Sequence, residues 1–368
     1  MATRYGITTA VKVNGVPQRS IWADPAQGLA WIIDQSRLPH SYATRALATS
    51  GDAAEAIRTM RVRGAPLIGV TAAYGIALAM RAAPDDAHLD AACAELAATR
   101  PTAVNLRWAL NRMRAHLVGL PLSERAAAAW LEAAAIAEED VRVNRALGEH
   151  GLALILTLQD RVRRPLNILT HCNAGWLATV DWGTALAPVY LAQLAQIPVH
   201  VWVSETRPRN QGLLTAWELR EQGVTHTVIA DNAAGHLLQR GQVDMVLVGA
   251  DRVTRRGDVC NKIGTYLKAL AARAAGVPFY AAVPGSTFDW TLEDGVAEIP
   301  IEERGGDEVR IVHGVDPGGT PLAARILSAA AAVANPAFDV TPADLVTGLV
   351  TERGVCPPDA AALRDLFR

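Results

Sequence analysis

Two side chains suited to acid–base chemistry follow apolar runs that are typical of buried β-strands. Cys172 comes after the run at 166–169, within the sequence Thr-His-Cys-Asn-Ala-Gly. Asp251 comes after the run at 245–248, within the sequence Gly-Ala-Asp-Arg. A thiol in polar surroundings can be tuned to its reactive range, and a desolvated carboxyl group can act as a general acid. The ordinary alternatives are a buried apolar thiol for Cys172 and a helix cap or an ion pair with Arg252 for Asp251.

Two further apolar runs, at 200–203 and 227–229, are also followed by polar sequences, Ser-Glu-Thr-Arg-Pro-Arg-Asn-Gln and Ala-Asp-Asn. In an open parallel sheet, ligands bind beyond the carboxyl ends of the strands. The four successive strand ends with polar or ionisable groups therefore predict an active site at one edge of a sheet.

Groups that could bind an anion occur at three other places. Asn261 and Lys262 lie at the start of a predicted helix over 262–275, where backbone N–H groups and the ammonium group would attract a phosphate. The alternative is a solvated lysine in the first helical turn. Arg-Gly-Ala-Pro at 63–66 precedes another predicted helix, and its glycine permits close approach of the backbone to a ligand. Arg100 precedes a third helix and is a weaker candidate.

These residues predict a crevice for a small phosphorylated substrate. The sequence has neither a Gly-x-Gly-x-x-Gly motif after a strand nor a Gly-Lys-Ser/Thr phosphate loop, so the usual nucleotide signatures are missing. His171 has no partners at metal-ligand spacing. We therefore expect no cofactor and no metal.

The composition is that of a globular protein. Of 368 residues, half are hydrophobic, and 35 Lys plus Arg against 37 Asp plus Glu give a net charge of −2. This balance provides no electrostatic attraction to nucleic acid or to an anionic membrane. The chain has no signal-like start and no run of about 18 uncharged apolar residues. Its four scattered cysteines argue against a disulfide framework, so we expect a cytoplasmic protein.

The elements that would position the crevice fall into two parts. Residues 1–150 are expected to form a smaller, mostly helical N-terminal domain, with short strands around a hairpin turn at Asn14-Gly15. Residues 151–368 alternate short apolar runs with helical segments, which predicts a doubly wound, Rossmann-like parallel sheet and an α/β fold class. The spacing of apolar residues predicts helices over 67–82, 85–98, 102–118, 122–147, 183–195, 212–222, 233–240 and 262–275.

Several stretches, spread over nearly the whole chain, resemble one enzyme family. They are 61–75 (RVRGAPLIGVTAAYG), 100–110 (RPTAVNLRWAL), 169–186 (LTHCNAGWLATVDWGTAL), 205–219 (ETRPRNQGLLTAWEL), 249–266 (GADRVTRRGDVCNKIGTY), 278–289 (PFYAAVPGSTFD) and 335–355. The chain resembles the methylthioribose-1-phosphate isomerases, whose wider family includes the regulatory subunits of the eukaryotic initiation factor 2B complex. Glu-Thr-Arg-Pro is shared across that wider family, whereas Thr-His-Cys-Asn-Ala-Gly and Gly-Asp-Val-x-Asn-Lys-Ile-Gly-Thr are more specific to the isomerases.

The resemblance implies an aldose–ketose isomerase, an intramolecular oxidoreductase that converts 5-methylthioribose 1-phosphate into 5-methylthioribulose 1-phosphate in methionine salvage. It implies catalytic roles for Cys172 and Asp251. It implies contacts to the phosphate and the sugar by Arg63, Gly64, Ala65, Arg100, Gln211, Asn261 and Lys262. It also implies a homodimer formed through the C-terminal domain.

Three alternatives stay open. A ribose-1,5-bisphosphate isomerase of the same family would need a second basic cluster for the 5-phosphate, and a non-catalytic regulatory protein would need neither Cys172 nor Asp251. Activity on 5-deoxyribose 1-phosphate could accompany the main one, because an apolar pocket discriminates such analogues by only about 1–3 kcal/mol. Trp176 and Trp182 depart from the family pattern, and they could either wall off an apolar 5-substituent or pack in the core.

Overall fold

The computed structural model of the chain describes residues 11–100 and 103–368. A hairpin opens this part, with β1 (Lys12–Val13) and β2 (Val16–Pro17) antiparallel around Asn14 and Gly15. Both turn residues have a positive φ, 52° and 79°, as a type I′ turn requires, so the predicted turn is confirmed. A three-stranded antiparallel sheet follows, made of β3 (Ile21–Asp24), β4 (Leu29–Ile33) and β5 (Thr44–Leu47).

Helices make up the rest of the N-terminal part. They are α1 (Ser50–Arg58), α2 (Ala65–Ala82), α3 (Asp86–Ala97), α4 (Val104–Leu117) and α5 (Leu122–Gln159). Helix α2 packs against each of the other four. By length and composition alone α2 could cross a membrane, but it carries Arg81 and 78% of it is buried inside the protein. Packing among helices therefore accounts for its apolar composition.

The C-terminal part alternates strands and helices, as predicted. In chain order it contains β6 (Leu166–Thr170), α6 (Ala187–Leu194), β7 (Val199–Ser204), α7 (Gln211–Glu221), β8 (His226–Ile229), α8 (Ala233–Gln239), β9 (Met245–Val248), β10 (Arg252–Thr254), β11 (Val259–Lys262), α9 (Thr265–Ala275), β12 (Phe279–Ala282), β13 (Phe288–Asp289), α10 (Gly295–Glu298), α11 (Asp307–Arg310), β14 (Ile311–Val315), β15 (Pro321–Arg325), β16 (Phe338–Thr341), β17 (Gly348–Thr351), β18 (Gly354–Cys356) and α12 (Ala360–Leu366). Seven strands form one sheet in the order β18-β17-β12-β9-β6-β7-β8, parallel except between β17 and β18. The predicted α/β fold is confirmed.

The strand order of this sheet reverses between β6 and β9. From β6 the chain moves outwards through β7 to β8, and it then returns to β9 on the other side of β6. Ile168 of β6 accordingly pairs with Val201 of β7 and with Met245 of β9. Such a reversal opens a crevice at the carboxyl edge of the sheet. Cys172 follows β6 and Asp251 follows β9, so the two residues flank this crevice.

The predicted helix start at Asn261 and Lys262 is wrong. Both residues end β11, where they pair with Asp339 and Phe338 of β16, and α9 begins only at Thr265. The partner strand is far away in the chain, so no local period of apolar residues could reveal the pairing. The two residues therefore offer side chains, and not the N–H groups of a helix terminus, to a ligand.

The other predicted helices correspond to α2 through α8, although Thr102, the predicted start of one of them, lies outside the described residues. Helix α5 continues past its predicted end at 147. Gly151 lies against α6, where an added Cβ would approach Pro188 to 2.3 Å, so this glycine permits close packing and does not end the helix. The predicted domain boundary at 150 falls within α5, and the division into two domains stays a prediction.

Candidate active site

One cleft brings together the residues that the sequence and the resemblance single out. It lies at the carboxyl edge of the sheet, against the N-terminus of α2. The cleft is lined by all nine of those residues, Cys172, Asp251, Arg63, Gly64, Ala65, Arg100, Gln211, Asn261 and Lys262.

Cys172 has a left-handed backbone conformation, with φ at 66°. Its N–H donates to Thr206 Oγ1 at 2.9 Å, and its carbonyl accepts from Thr215 Oγ1 at 2.8 Å. These bonds fix the turn that carries the thiol to the cleft. Burial raises the pKa of the Cys172 thiol, whereas Arg63 and Lys262 oppose that rise. The two cations are thus the groups that favour a thiolate.

Asp251 carries the second titratable group of the cleft. Its backbone N–H donates to Cys260 O at 2.9 Å. Within the described residues, its carboxylate has neither a hydrogen bond nor an ion pair. Burial raises the pKa of the Asp251 carboxyl group, and the positive charges of Lys262, Arg100 and Arg63 oppose that rise. A carboxyl group with a raised pKa keeps its proton to higher pH and can donate it to a ligand.

Lys262 is electrostatically linked to both acidic groups. Its Nζ donates to Ala337 O at 2.8 Å and lies 4.4 Å from the centroid of the Phe338 ring. Burial lowers the pKa of Lys262, and Cys172 and Asp251 oppose that change. The ammonium group is therefore placed to stabilise the anion of either acid or a bound phosphate.

The N-terminus of α2 forms another part of the cleft wall. Gly64 precedes this helix with φ at 90°, and an added Cβ there would lie 2.5 Å from atoms of Ala178. Only glycine therefore fits at this position. Among the side chains that the structure describes, none caps this terminus, so the Ala65 N–H is available to an anion.

Three of the predicted binding residues carry a buried polar atom without a hydrogen-bond partner among the residues that the structure describes. These atoms are Arg63 Nε, Arg100 Nε and Gln211 Oε1. Arg63 otherwise donates to Asn173, and Arg100 pairs with Glu302 at 3.3 Å. Buried polar atoms are nearly always paired in folded proteins. The three atoms therefore indicate a place where a polar ligand binds.

Sequence reasoning missed Thr206, Thr215 and Glu302, which hold the predicted residues in place. Thr215 and Gln211 lie four residues apart on α7, and both are buried. Polar residues at this core-facing spacing were the signal that could have identified Thr215. Glu302 lies outside any helix or strand, so no periodic pattern pointed to it.

The polar sequences after β7 and β8 contribute mainly to a different group of residues. This anchor cluster consists of His171, Ser204, Thr206, Asp231 and Lys268. None of these residues lines the cleft, and Thr206 joins the cluster to the backbone of Cys172. Asp231 accepts from Ser204 Oγ and from the backbone N–H groups of Thr206, at 2.8 Å, and Arg207, at 2.7 Å. Lys268 Nζ lies 4.0 Å from its carboxylate, and His171 Nδ1 lies 3.8 Å away.

His171 is a neutral member of the anchor cluster. Burial, followed by the charge of Lys268, lowers the pKa of His171 to about 3. Its Nε2 lies 2.8 Å from Ile263 O, so this nitrogen carries the hydrogen. The described part of the chain has no group of three or more His, Cys, Asp or Glu side chains that could hold a metal ion.

Trp176 and Trp182 pack in the core and do not line the cleft. Both are at most 1% exposed and belong to the same apolar cluster as Ile168. The ring of Trp176 is tilted against that of Trp217, with the centroids 5.9 Å apart. Of the two interpretations open at the sequence level, core packing is the one that the structure supports.

Residues 61–358 match the model of the initiation factor 2 subunit family, which is more than half of the chain. The chain belongs to this family. A family member named methylthioribose-1-phosphate isomerase, from Acidiphilium cryptum (strain JF-5), is 61% identical over 361 residues, which cover 97% of this chain and 98% of that protein.

Two solved structures share the family fold. The 5-methylthioribose 1-phosphate isomerase from Pyrococcus horikoshii OT3 is 40% identical, with a TM-score of 0.81 and 97% of each chain covered. The translation initiation factor eIF-2B, subunit delta, from A. fulgidus is 40% identical, with a TM-score of 0.76, and the match covers 95% of this chain and 99% of that one. One fold therefore occurs in family members with two different names.

Proposed function

We propose that this protein is an aldose–ketose isomerase that converts 5-methylthioribose 1-phosphate into 5-methylthioribulose 1-phosphate in methionine salvage. The observation that carries the proposal is the meeting of Cys172 and Asp251 in one cleft with groups suited to a phosphate. The name of the 61% identical relative supports the same activity. A regulatory protein needs no such pair of acidic groups, which disfavours that alternative.

The first chemical step is ring opening. The phosphate on C1 blocks the aldehyde, so the bond between C1 and the ring oxygen must break. Asp251 gives its proton to the ring oxygen, this bond breaks, and C1 becomes a cation that its phosphate oxygen stabilises. The step needs a protonated carboxyl group, and burial favours that form because it raises the pKa of Asp251.

A hydrogen must then move from C2 to C1. As a proton, it passes from C2 to the Cys172 thiolate and leaves an enol phosphate, and a proton is returned to C1 while the C2 hydroxyl becomes a carbonyl. As a hydride, it shifts directly from C2 to C1, and the C2 hydroxyl gives its proton to Cys172. The charges of Arg63 and Lys262 favour the thiolate in either route.

The cleft also provides groups for the phosphate itself. Arg63 and Lys262 supply positive charge, and the N-terminus of α2 supplies the Ala65 N–H. Asn261 and Gln211 supply neutral polar atoms beside them. We propose that the phosphate on C1 binds among these groups.

A second cavity extends from the Asp251 side of the cleft and suits an uncharged substituent on C5. Its apolar lining consists of Ile68, Ala103, Cys260, Ile299, Pro300 and Phe338. Two arginines also line it, and each lies near a carboxylate, Arg100 with Glu302 at 3.3 Å and Arg252 with Asp289 at 3.4 Å. Because this positive charge is already balanced, the cavity favours a methylthio or methyl group over a second phosphate.

We also propose that the protein is a cytoplasmic homodimer, as the resemblance implies. Helix α9 supports an interface in the C-terminal part, because Tyr266, Leu267 and Leu270 are 36%, 63% and 38% exposed. Sedimentation velocity at micromolar concentration is expected to give the mass of a dimer. The mass of a monomer would contradict the proposed assembly.

Proton NMR time courses with three sugars test the proposed function. We expect ketose formation from 5-methylthioribose 1-phosphate, slower formation from 5-deoxyribose 1-phosphate, and none from ribose 1,5-bisphosphate. In D₂O, deuterium at C1 of the product would identify the proton-transfer route. Absence of turnover of the first sugar by folded protein contradicts the proposal, and turnover of the bisphosphate alone favours the alternative isomerase.

A further inference from the structure

Glu218 on α7 is a buried carboxylate behind the wall of the cleft, with 0% of its surface exposed. Its Oε1 accepts from Asn173 Nδ2 at 2.7 Å and from the Leu177 N–H at 3.1 Å. Its Oε2 accepts from the Trp176 N–H at 2.8 Å and from Tyr190 Oη at 2.6 Å. The proposed reaction gives this residue no role.

The partners of Glu218 require a carboxylate. All four donate to it, so the side chain must accept on both of its terminal atoms. A glutamine would turn an NH₂ group towards one of the two sides, and a backbone N–H, of Leu177 or of Trp176, would be left unpaired in either orientation. Gly175 is shaped to the same group, since an added Cβ would lie 1.8 Å from Glu218 Oε2. Burying a charge is costly, so packing alone does not explain a glutamate here.

The bond to Glu218 fixes the direction of the Asn173 amide. Nδ2 of Asn173 donates to Glu218 Oε1 and, at 3.1 Å, to Thr215 Oγ1, so Oδ1 must point the other way. Oδ1 accepts from Arg63 Nη2, and the Asn173 carbonyl oxygen lies 3.5 Å from Arg63 Nη1. Because a carboxylate can only accept and a guanidinium can only donate, Glu218 and Arg63 together fix which end of the amide faces each of them.

Glu218 also balances the charge of the buried arginine. Burial lowers the pKa of Arg63, and Cys172, Glu218 and Asp251 oppose that change. Cys172 and Asp251 gain and lose protons during the proposed reaction, and Asp251 must be neutral at its start. Glu218 is the one of these three acids that takes no part in the proposed proton transfers. Burial raises the pKa of Glu218, and the hydrogen bonds from Tyr190, Asn173 and Leu177 oppose that rise and favour the charged form.

We propose that Glu218 is a positioning residue for the anion site. It orients the Asn173 amide and thereby holds the Arg63 guanidinium where the phosphate of the substrate binds. The proposal rests on the proposed function only for the identity of that phosphate. The anion site itself can be tested without turnover.

A double-mutant cycle on Glu218→Gln and Asn173→Ala tests the link. Isothermal titration calorimetry with inorganic phosphate gives the anion affinity, and kinetics with 5-methylthioribose 1-phosphate give kcat and KM. We expect each single variant to weaken phosphate binding and to raise KM by about 10-fold or more, with a smaller change in kcat. Asn173→Ala removes the amide oxygen that accepts from Arg63, and Glu218→Gln disturbs the carboxylate that holds this amide in place. The double variant is expected to bind phosphate as tightly as the single variant that binds it more weakly, since both substitutions break the same link.

An unchanged phosphate affinity in the Glu218→Gln variant would overturn the proposal, and so would effects that multiply in the double variant. Tyr190→Phe is the matched control, because it removes another hydrogen bond to the same carboxylate and leaves Asn173 in contact. Its phosphate affinity is expected within about two-fold of the wild type. A loss equal to that of Glu218→Gln would mean that any disturbance of the carboxylate has this effect, and it would also overturn the proposal.

Thermal unfolding of each variant checks that it is folded. If Glu218→Gln does not fold, Glu218→Asp replaces it, because aspartate keeps the charge but withdraws it from Asn173 by one methylene group. The same non-additive loss of phosphate affinity is expected. If the wild type binds phosphate but does not convert the sugar, the proposed function fails, while the cycle still decides the role of Glu218.

Discussion

The cleft and the anchor cluster are both rich in charge, but they arrange it differently. In the anchor cluster the Asp231 carboxylate accepts three hydrogen bonds and lies within 4.0 Å of two basic side chains. In the cleft the Asp251 carboxylate has no partner among the residues described. Three binding residues beside it each keep a polar atom that no described group satisfies.

This difference shows that polar residues at strand ends are not sufficient to make a site. Satisfied charges hold loops in place, whereas unsatisfied groups around an open cleft are suited to a ligand. His171 and Cys172 are neighbours in the chain, yet they belong to opposite sides of this division. We therefore expect substitutions in the cleft to affect catalysis and substitutions in the anchor cluster to affect stability.

The largest effect is expected in the cleft, for Cys172→Ala. We predict that kcat falls by about 10²- to 10⁴-fold, as for the loss of a general base. The unfolding temperature is expected to change little, because the bonds that hold the turn involve the backbone of residue 172. Cys93→Ala on α3 is the matched control and should keep full activity. An active Cys172→Ala variant would contradict the distinction between the two regions.

The second-largest effect is a rise in KM, and we expect it for Arg63→Ala. KM should rise by about 10- to 100-fold, because a hydrogen bond to a charged group contributes about 1.5–3 kcal/mol. Steady-state kinetics measure the change, with Arg58→Ala, at an exposed position on α1, as the control. An unchanged KM would remove Arg63 from the phosphate site.

The smallest effect is expected for His171, and it concerns stability. The pKa of His171 is lowered to about 3 in the folded protein, whereas it is near 6.5 in the unfolded chain. The neutral imidazole therefore contributes to the free energy of unfolding above about pH 6.5, and this contribution is lost as the pH falls towards the folded pKa. Between pH 7 and pH 5 the wild type should therefore lose roughly 1–2 kcal/mol more unfolding free energy than His171→Gln.

Urea denaturation at the two pH values measures this difference. His236→Gln, at an exposed position on α8, is the control and should lose as much stability as the wild type. Equal losses in the wild type and in His171→Gln would show that His171 is not a buried neutral group.

The sequence predicted the main site because its signals are local. Cys172 and Asp251 each follow an apolar run directly, and a parallel sheet brings the carboxyl ends of its strands to one edge. Nothing local separated Asp251 from Asp231, since both follow a strand. Their difference arises from long-range contacts, such as the approach of Lys268 to Asp231.

The features that the sequence did not predict also depend on distant contacts. Lys262 ends a strand because β16 pairs with it, and Glu302 reaches Arg100 from a segment about 200 residues away in the chain. Glu218 was overlooked because its partners come from the turn after β6 and from α6, which only the folded chain brings together.

A side-by-side assay of Asp251→Asn and Asp231→Asn with 5-methylthioribose 1-phosphate tests most directly whether catalysis belongs to the cleft and not to the anchor cluster. We predict that Asp251→Asn lowers kcat by about 10²- to 10⁴-fold and leaves thermal unfolding nearly unchanged. Asp231→Asn places an amide where three donors need acceptors, so it should lower stability by about 1–3 kcal/mol and affect kcat far less. Loss of turnover in Asp231→Asn together with full turnover in Asp251→Asn would contradict the assignment of catalysis to the cleft.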